Sequence, residues 1–231
     1  MLRDNLLNVR ENIKKACEKV GRDPGEVTLL AVSKTKPLSD VEELIPEGQM
    51  DFGENYVQEL CDKYEKVSTP VRWHMIGHLQ RNKVKYIIDK VVLIHSVDSM
   101  HLAKQIEKEA VKHNTDMDIL VEVNVAGEDT KFGLSCDDVL PFVEEVAQFP
   151  HVHVKGLMTS APFVDDPEEN RCYFRKLHQL FVDIGQKNID NVSMEILSMG
   201  MTNDYKIAVE EGSTMVRVGT AIFGARDYGN K

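Results

Sequence analysis

Lys34 closes the apolar run Val27-Thr-Leu-Leu-Ala-Val-Ser33, a position where a strand would deliver an amine into a site. A lysine there can be desolvated, lose its proton and attack a carbonyl. Two distant stretches, Ser198-Met-Gly-Met201 and Gly212 to Arg226, join strand-like character to small residues and backbone donors. Within them, Ser198, Gly200, Gly219 and Thr220 offer the close backbone approach and hydroxyls that grip an anion. Arg217 lies two residues before Gly219, so the strand alternation turns both to the same side. An amine, a phosphate grip and an inward arginine together suit an aldehyde cofactor held by its phosphate. Each feature alone has a plainer reading. Lys34 could be a solvated strand-end lysine, the glycines could only make turns, and Arg217 could pair with a carboxylate.

Positioning such residues requires a regular scaffold. Leu2, Leu6, Val9, Ile13, Ala16 and Val20 recur every three or four residues, which predicts an opening amphipathic helix ending near Gly21. Apolar runs then follow near residues 28–34, 50–53, 72–77, 91–97, 119–125, 152–158, 194–198 and 215–222, separated by helical segments. Ser39-x-x-Glu42 has the form of a capping box, and Ser99, Ser135 and Thr202 each precede an apolar-periodic stretch. Gly212 suits the end of the helix closing at Glu210-Glu211. Eight alternating units over about 200 residues favour an α/β fold, a single (β/α)8 TIM barrel with an extra N-terminal helix, with a doubly wound sheet as the alternative. No Pro/Gly/Ser-rich linker divides the chain, so residues 1–231 are expected to form one domain. In a barrel, ligands gather at the C-terminal strand ends, where Lys34, Asn55, His74, Met158, Ser198, Gly219 and Thr220 all fall.

Composition narrows the function. A net charge of -10 opposes a nucleic-acid surface, and no apolar stretch approaches the length of a membrane span or follows a signal-peptide pattern. A cytoplasmic location is the default expectation. Cys17, Cys61, Cys136 and Cys172 are widely spaced and read as reduced thiols, not metal ligands. His74 and His78 sit four apart, but Gly77 and the strand-like run between them disfavour a shared helical face.

Longer motifs add to this reading. Leu30-Ala-Val-Ser-Lys-Thr-Lys-Pro37, Phe52 to Glu59, Trp73-His-Met-Ile-Gly-His-Leu-Gln80, Gly156-Leu-Met158, Leu197 to Met201 and Gly212 to Tyr228 closely resemble the pyridoxal-phosphate homeostasis protein family. The resemblance covers nearly the whole chain; Thr202 replaces the commoner serine in Met201-Thr-Asn-Asp204. It implies a fold like the alanine racemase N-terminal domain, with pyridoxal 5'-phosphate held as a Schiff base on Lys34. It further implies that Ser198, Gly219 and Thr220 hold the phosphate, Arg217 faces the ring nitrogen, and Asn55, His74 and Met158 line the pocket. The function implied is non-catalytic, buffering the cofactor inside the cell and delivering it to apo-enzymes, in a protein expected to be a monomer. An amino-acid racemase is the alternative. Related enzymes append a second domain carrying an acid/base tyrosine, and this sequence ends just after the last predicted strand. A barrel aldolase acting on a phosphorylated sugar would also use a Schiff-base lysine and phosphate loops.

Overall fold

The computed structural model describes residues 1–128 and 130–225. Eight parallel strands close on themselves in sequence order. They are β1 (Thr28–Val32), β2 (Asp51–Glu54), β3 (Arg72–Met75), β4 (Leu93–Val97), β5 (Met117–Glu122), β6 (Val152–Met158), β7 (Val192–Ser198) and β8 (Met215–Val218). Closure follows from pairing of β1 with both β2 and β8, with Val32 opposite Gly53 and Leu30 opposite Arg217. The helices are α1 (Leu2–Lys19), α2 (Leu38–Leu44), α3 (Val57–Lys66), α4 (Met100–His113), α5 (Cys136–Val146), α6 (Arg171–Gly185), α7 (Tyr205–Glu210) and α8 (Thr220–Phe223). The β3–β4 crossover carries only a 3-10 turn, Arg81–Tyr86. The α/β barrel read from the alternating runs is therefore the observed fold.

Parallel strands covered by helices on one side and by one another's side chains on the other must be apolar throughout, which is why the sequence shows runs. The outer core lies between sheet and helices, while Leu30, Leu93, Leu120, Met158 and Met215 fill the barrel interior. The opening helix buries Leu6, Val9, Ile13, Ala16 and Cys17 and lies against α7 and α8. Arg22 ties the chain after this helix to the carbonyls of Val209 and Ser213.

Boundaries depart from expectation where local chemistry competes. The run 215–222 is not one strand: β8 stops at Val218 and Thr220–Phe223 turn into a helix that buries Ile222 and Phe223. Ser39 lies inside α2, whose N-cap is Pro37, so its capping box does not form. Ser99 and Ser135 do occupy N-caps but make no side-chain cap bond; the Ser135 hydroxyl instead donates to Asp138. Thr202 precedes the N-cap Asp204, and its hydroxyl oxygen accepts from the Ala221 N–H. Gly212, at φ 100°, follows α7 as expected.

Gly156 shows how tightly the barrel wall is drawn. A Cβ there would sit 1.8 Å from the Ile196 carbonyl oxygen on the neighbouring strand. Gly156→Ala must force β6 and β7 apart, and overpacking of this kind costs about 1–3 kcal/mol or more. Its urea midpoint should fall by that cost divided by the unchanged slope; an unchanged midpoint would mean the two strands are less closely paired.

Candidate functional site

A cavity of about 500 Å³ opens at the C-terminal mouth of the barrel. Lys34, Asn55, Arg217, Gly219 and Thr220 all line it, brought together from β1, β2 and β8 and the segments that follow them. Strand β1 ends at Val32, so Lys34 sits in a tight turn closed by the Lys36 N–H on the Ser33 carbonyl. Thr35, the next residue, has φ 62°, a conformation disfavoured for a β-branched residue. That backbone is held from below. The Thr35 N–H donates to Glu59 Oε1 at 2.7 Å, and Lys63 Nζ donates to the Ser33 carbonyl, Glu54 and Glu59 at 2.7–2.8 Å. The Ser33 hydroxyl completes the cluster on Glu54. Both neighbours of Lys34 are thus fixed by one buried ion cluster. Lys36 also lines the cavity, but its ammonium donates to the carbonyls of Phe223 and Ala225.

Arg217 is buried without a carboxylate in ion-pair range among the described residues, so neither simple reading of an inward arginine is complete. Its NH1 donates to the Ser198 carbonyl and hydroxyl oxygens, and its NH2 to the Thr159 carbonyl and Ser160 hydroxyl. Burial lowers the guanidinium to about 10, against the opposing attraction of Glu122 and Asp204. Asn55 Oδ1 is buried without a partner among the described residues. An unsatisfied buried polar atom of this kind is costly.

The other residues singled out from the sequence sit elsewhere. His74, Met158 and Ser198 lie in the barrel interior beneath the cavity and do not form its described wall. Gly200 also stands off the wall. Its φ is 93°, and a Cβ would approach Ala208 Cβ at 2.5 Å, so its smallness serves packing on α7. Arg226, Asp227 and Tyr228 of the last motif lie outside the described residues. The four cysteines are free, and no metal-holding cluster is present among the described residues.

Glu122 was missed. It ends β5 in the same register layer as Met158 and Ser198. Burial, then the nearby Asp98 charge, pushes its carboxyl up to about 7, with Arg217 opposing. A raised carboxyl penalises the folded state as pH climbs from about 4.5, where the unfolded chain ionises, to about 7, where the folded one does. Glu122→Gln should therefore match wild type in stability near pH 4 and exceed it at pH 8, by on the order of 2 kcal/mol. Thermal unfolding at the two pH values checks this; an equal difference at both would assign Glu122 an ordinary titration.

Comparison with known proteins places this geometry in a class. Residues 5–227 match the family described as alanine racemase, N-terminal domain. An alanine racemase of Clostridium difficile 630 superposes with a TM-score of 0.76 at 15% identity, over 97% of this chain and 56% of that one, which speaks to the fold alone. The chain is 46% identical over 226 residues to the pyridoxal phosphate homeostasis protein of Aquifex aeolicus, covering 97% of this chain and 98% of that protein. PipY of Synechococcus elongatus PCC7942, in a structure with PLP bound, superposes with a TM-score of 0.80 at 30% identity, over 92% of this chain and 100% of that one. The chain belongs to the pyridoxal phosphate homeostasis protein family.

Proposed function

We propose that the chain binds pyridoxal 5'-phosphate in the cavity at the barrel mouth and serves its homeostasis, without turning over amino acids. The observation that carries this reading is the placement of Lys34 and Arg217 together on one cavity wall. The bound cofactor supplies an aldehyde that combines reversibly with amines. Lys34, set by its pinned turn, supplies the amine that holds the aldehyde carbon. Arg217 would face the ring nitrogen; a guanidinium cannot accept a proton, so it would leave that nitrogen unprotonated and the ring a weak electron sink. Asn55 and Thr220 offer polar groups to the ring substituents and phosphate, and Gly219 admits the anion close to the backbone.

The non-catalytic reading draws on the names of the relatives and on the wall itself. Among the described lining residues, each remaining ionisable group is already engaged. Asp204 accepts from the Met201 N–H through one oxygen and from Asn170 through the other. Lys36 is held on two carbonyls. No second acid/base of the kind that contributes about 10² to 10⁴ in rate is at hand among them. Apo-enzymes that need the cofactor are the expected recipients. Loaded protein incubated with a panel of L- and D-amino acids should yield no sustained change in chirality, carbon dioxide or keto acid, yet should activate an apo-enzyme. Turnover at about 1 s⁻¹ or faster, within the usual enzymatic range, and lost in Lys34→Ala, would establish an enzyme instead.

A further inference from the structure

Six side chains form an unbroken file of hydrogen bonds through the barrel, from its floor to the underside of the cavity. Arg72 Nε donates to Asp51 Oδ1 at 2.7 Å, and His74 Nε2 lies 3.1 Å from the same oxygen. His74 Nδ1 is 3.1 Å from His95 Nε2, and His95 Nδ1 is 3.1 Å from Ser198 Oγ. Arg217 NH1 then donates to that hydroxyl oxygen at 2.7 Å. His74, His95 and Ser198 are all buried, at 3%, 0% and 0% exposure.

We infer that His74 and His95 are positioning residues for Arg217, forming a one-way chain that makes Ser198 an acceptor and fixes the guanidinium beneath the cavity. The direction follows from the two ends. Asp51 is a carboxylate: burial raises its pKa, but the bonds from His74 and Arg72 outweigh this and hold it at about 2. It can only accept, so His74 carries a proton on Nε2. The Asp51 charge is already matched by Arg72, which forks onto both its oxygens. A second proton on His74 would place another cation in an interior that already holds Arg217, whose nearest acidic groups, Glu122 and Asp204, act only at longer range. With one proton, on Nε2, His74 accepts at Nδ1 from His95 Nε2–H. Burial holds His95 well below its ordinary range, so with its one proton on Nε2 its Nδ1 is bare. The Ser198 proton must go to that nitrogen, leaving only lone pairs for Arg217.

Two consequences follow. The Ser198 hydroxyl has no proton left for a phosphate, so its role is to hold Arg217. The order Asp51, His74, His95, Ser198 is also that of an activated serine, yet Ser198 is fully buried with Arg217 on its oxygen, which excludes attack on a substrate.

The chain's polarity is measurable without any ligand. Nitrogen-15 spectra of histidine-labelled full-length protein at pH 7.5 should show His74 and His95 both neutral, protonated on Nε2 and bare on Nδ1. A doubly protonated His74, or a His95 protonated on Nδ1, would overturn the proposal. The positioning role rests on the cofactor reading above and is tested by titrating wild type, His95→Leu and His95→Gln with pyridoxal 5'-phosphate and with unphosphorylated pyridoxal. Because the chain acts on the ring through Arg217, His95→Leu should weaken both ligands by a similar factor, about tenfold for one misdirected charged hydrogen bond. The amide of His95→Gln, able to donate and accept, should restore most of the loss. Unchanged binding, or a loss confined to the phosphorylated ligand, would contradict the role. If wild type bound neither ligand, the cofactor reading would fail with it, and the tautomers would stand as measured.

Discussion

Lys34→Ala should lose all covalent hold on pyridoxal 5'-phosphate, leaving at most a weak complex that gel filtration strips. A Schiff base to the aldehyde requires an amine, and among the described residues Lys34 and Lys36 line the cavity. The Lys36 ammonium donates to two main-chain carbonyls near the end of α8. Lys34 sits instead in a turn whose preceding carbonyl and following N–H are both fixed by the Lys63 cluster. Lys36→Ala should accordingly keep its visible absorption band, with some loss of stability from the two orphaned carbonyls. The reverse pattern, with the band surviving in Lys34→Ala and lost in Lys36→Ala, would exchange their roles.

The second large effect is on stability. Lys63→Met should destabilise the protein by about 3–5 kcal/mol, the usual cost of leaving one member of a buried ion pair uncompensated. Glu54 is fully buried, and burial already pushes its carboxyl above the ordinary range against the attraction of Lys63. Without the ammonium, Glu54 must take up a proton or draw in water. The melting temperature should fall by roughly 6–20 °C, at about 2–4 °C per kcal/mol for a chain of this size. Adding Glu54→Gln should recover much of the loss, because the charge no longer needs a partner. Glu59 and the Thr35 turn would stay unanchored, so cofactor affinity should not recover in step. A double variant as unstable as Lys63→Met would mean that Lys63 acts through packing alone.

The scaffold was legible because parallel strands must be apolar on both faces, and each run marked one strand. The exception is instructive. Residues 215–222 read as a single run, yet Val218 and Ile222 belong to different elements, and periodicity cannot separate a short buried strand from a buried turn of helix. The cavity wall was partly legible too, since Lys34 and Asn55 end or follow an apolar run and Arg217, Gly219 and Thr220 lie within the last one. What supports them was not. Asp51, His74, His95 and Ser198 come from four strands, and only the register of a closed barrel joins them. A signal existed in the alternation: Leu93 and His95 share the inward face of β4, where a polar residue needs a partner. Lys63 gave a similar hint, falling three residues after buried Leu60 on the inner face of α3, where an unpaired charge would be costly.

The most direct measurement is the site of attachment in the unmodified sequence. Protein loaded with pyridoxal 5'-phosphate, reduced with borohydride, digested and mapped by mass spectrometry should carry one pyridoxyl group, on Lys34. A group on Lys36 or any other lysine, or no group after loading, would contradict the account.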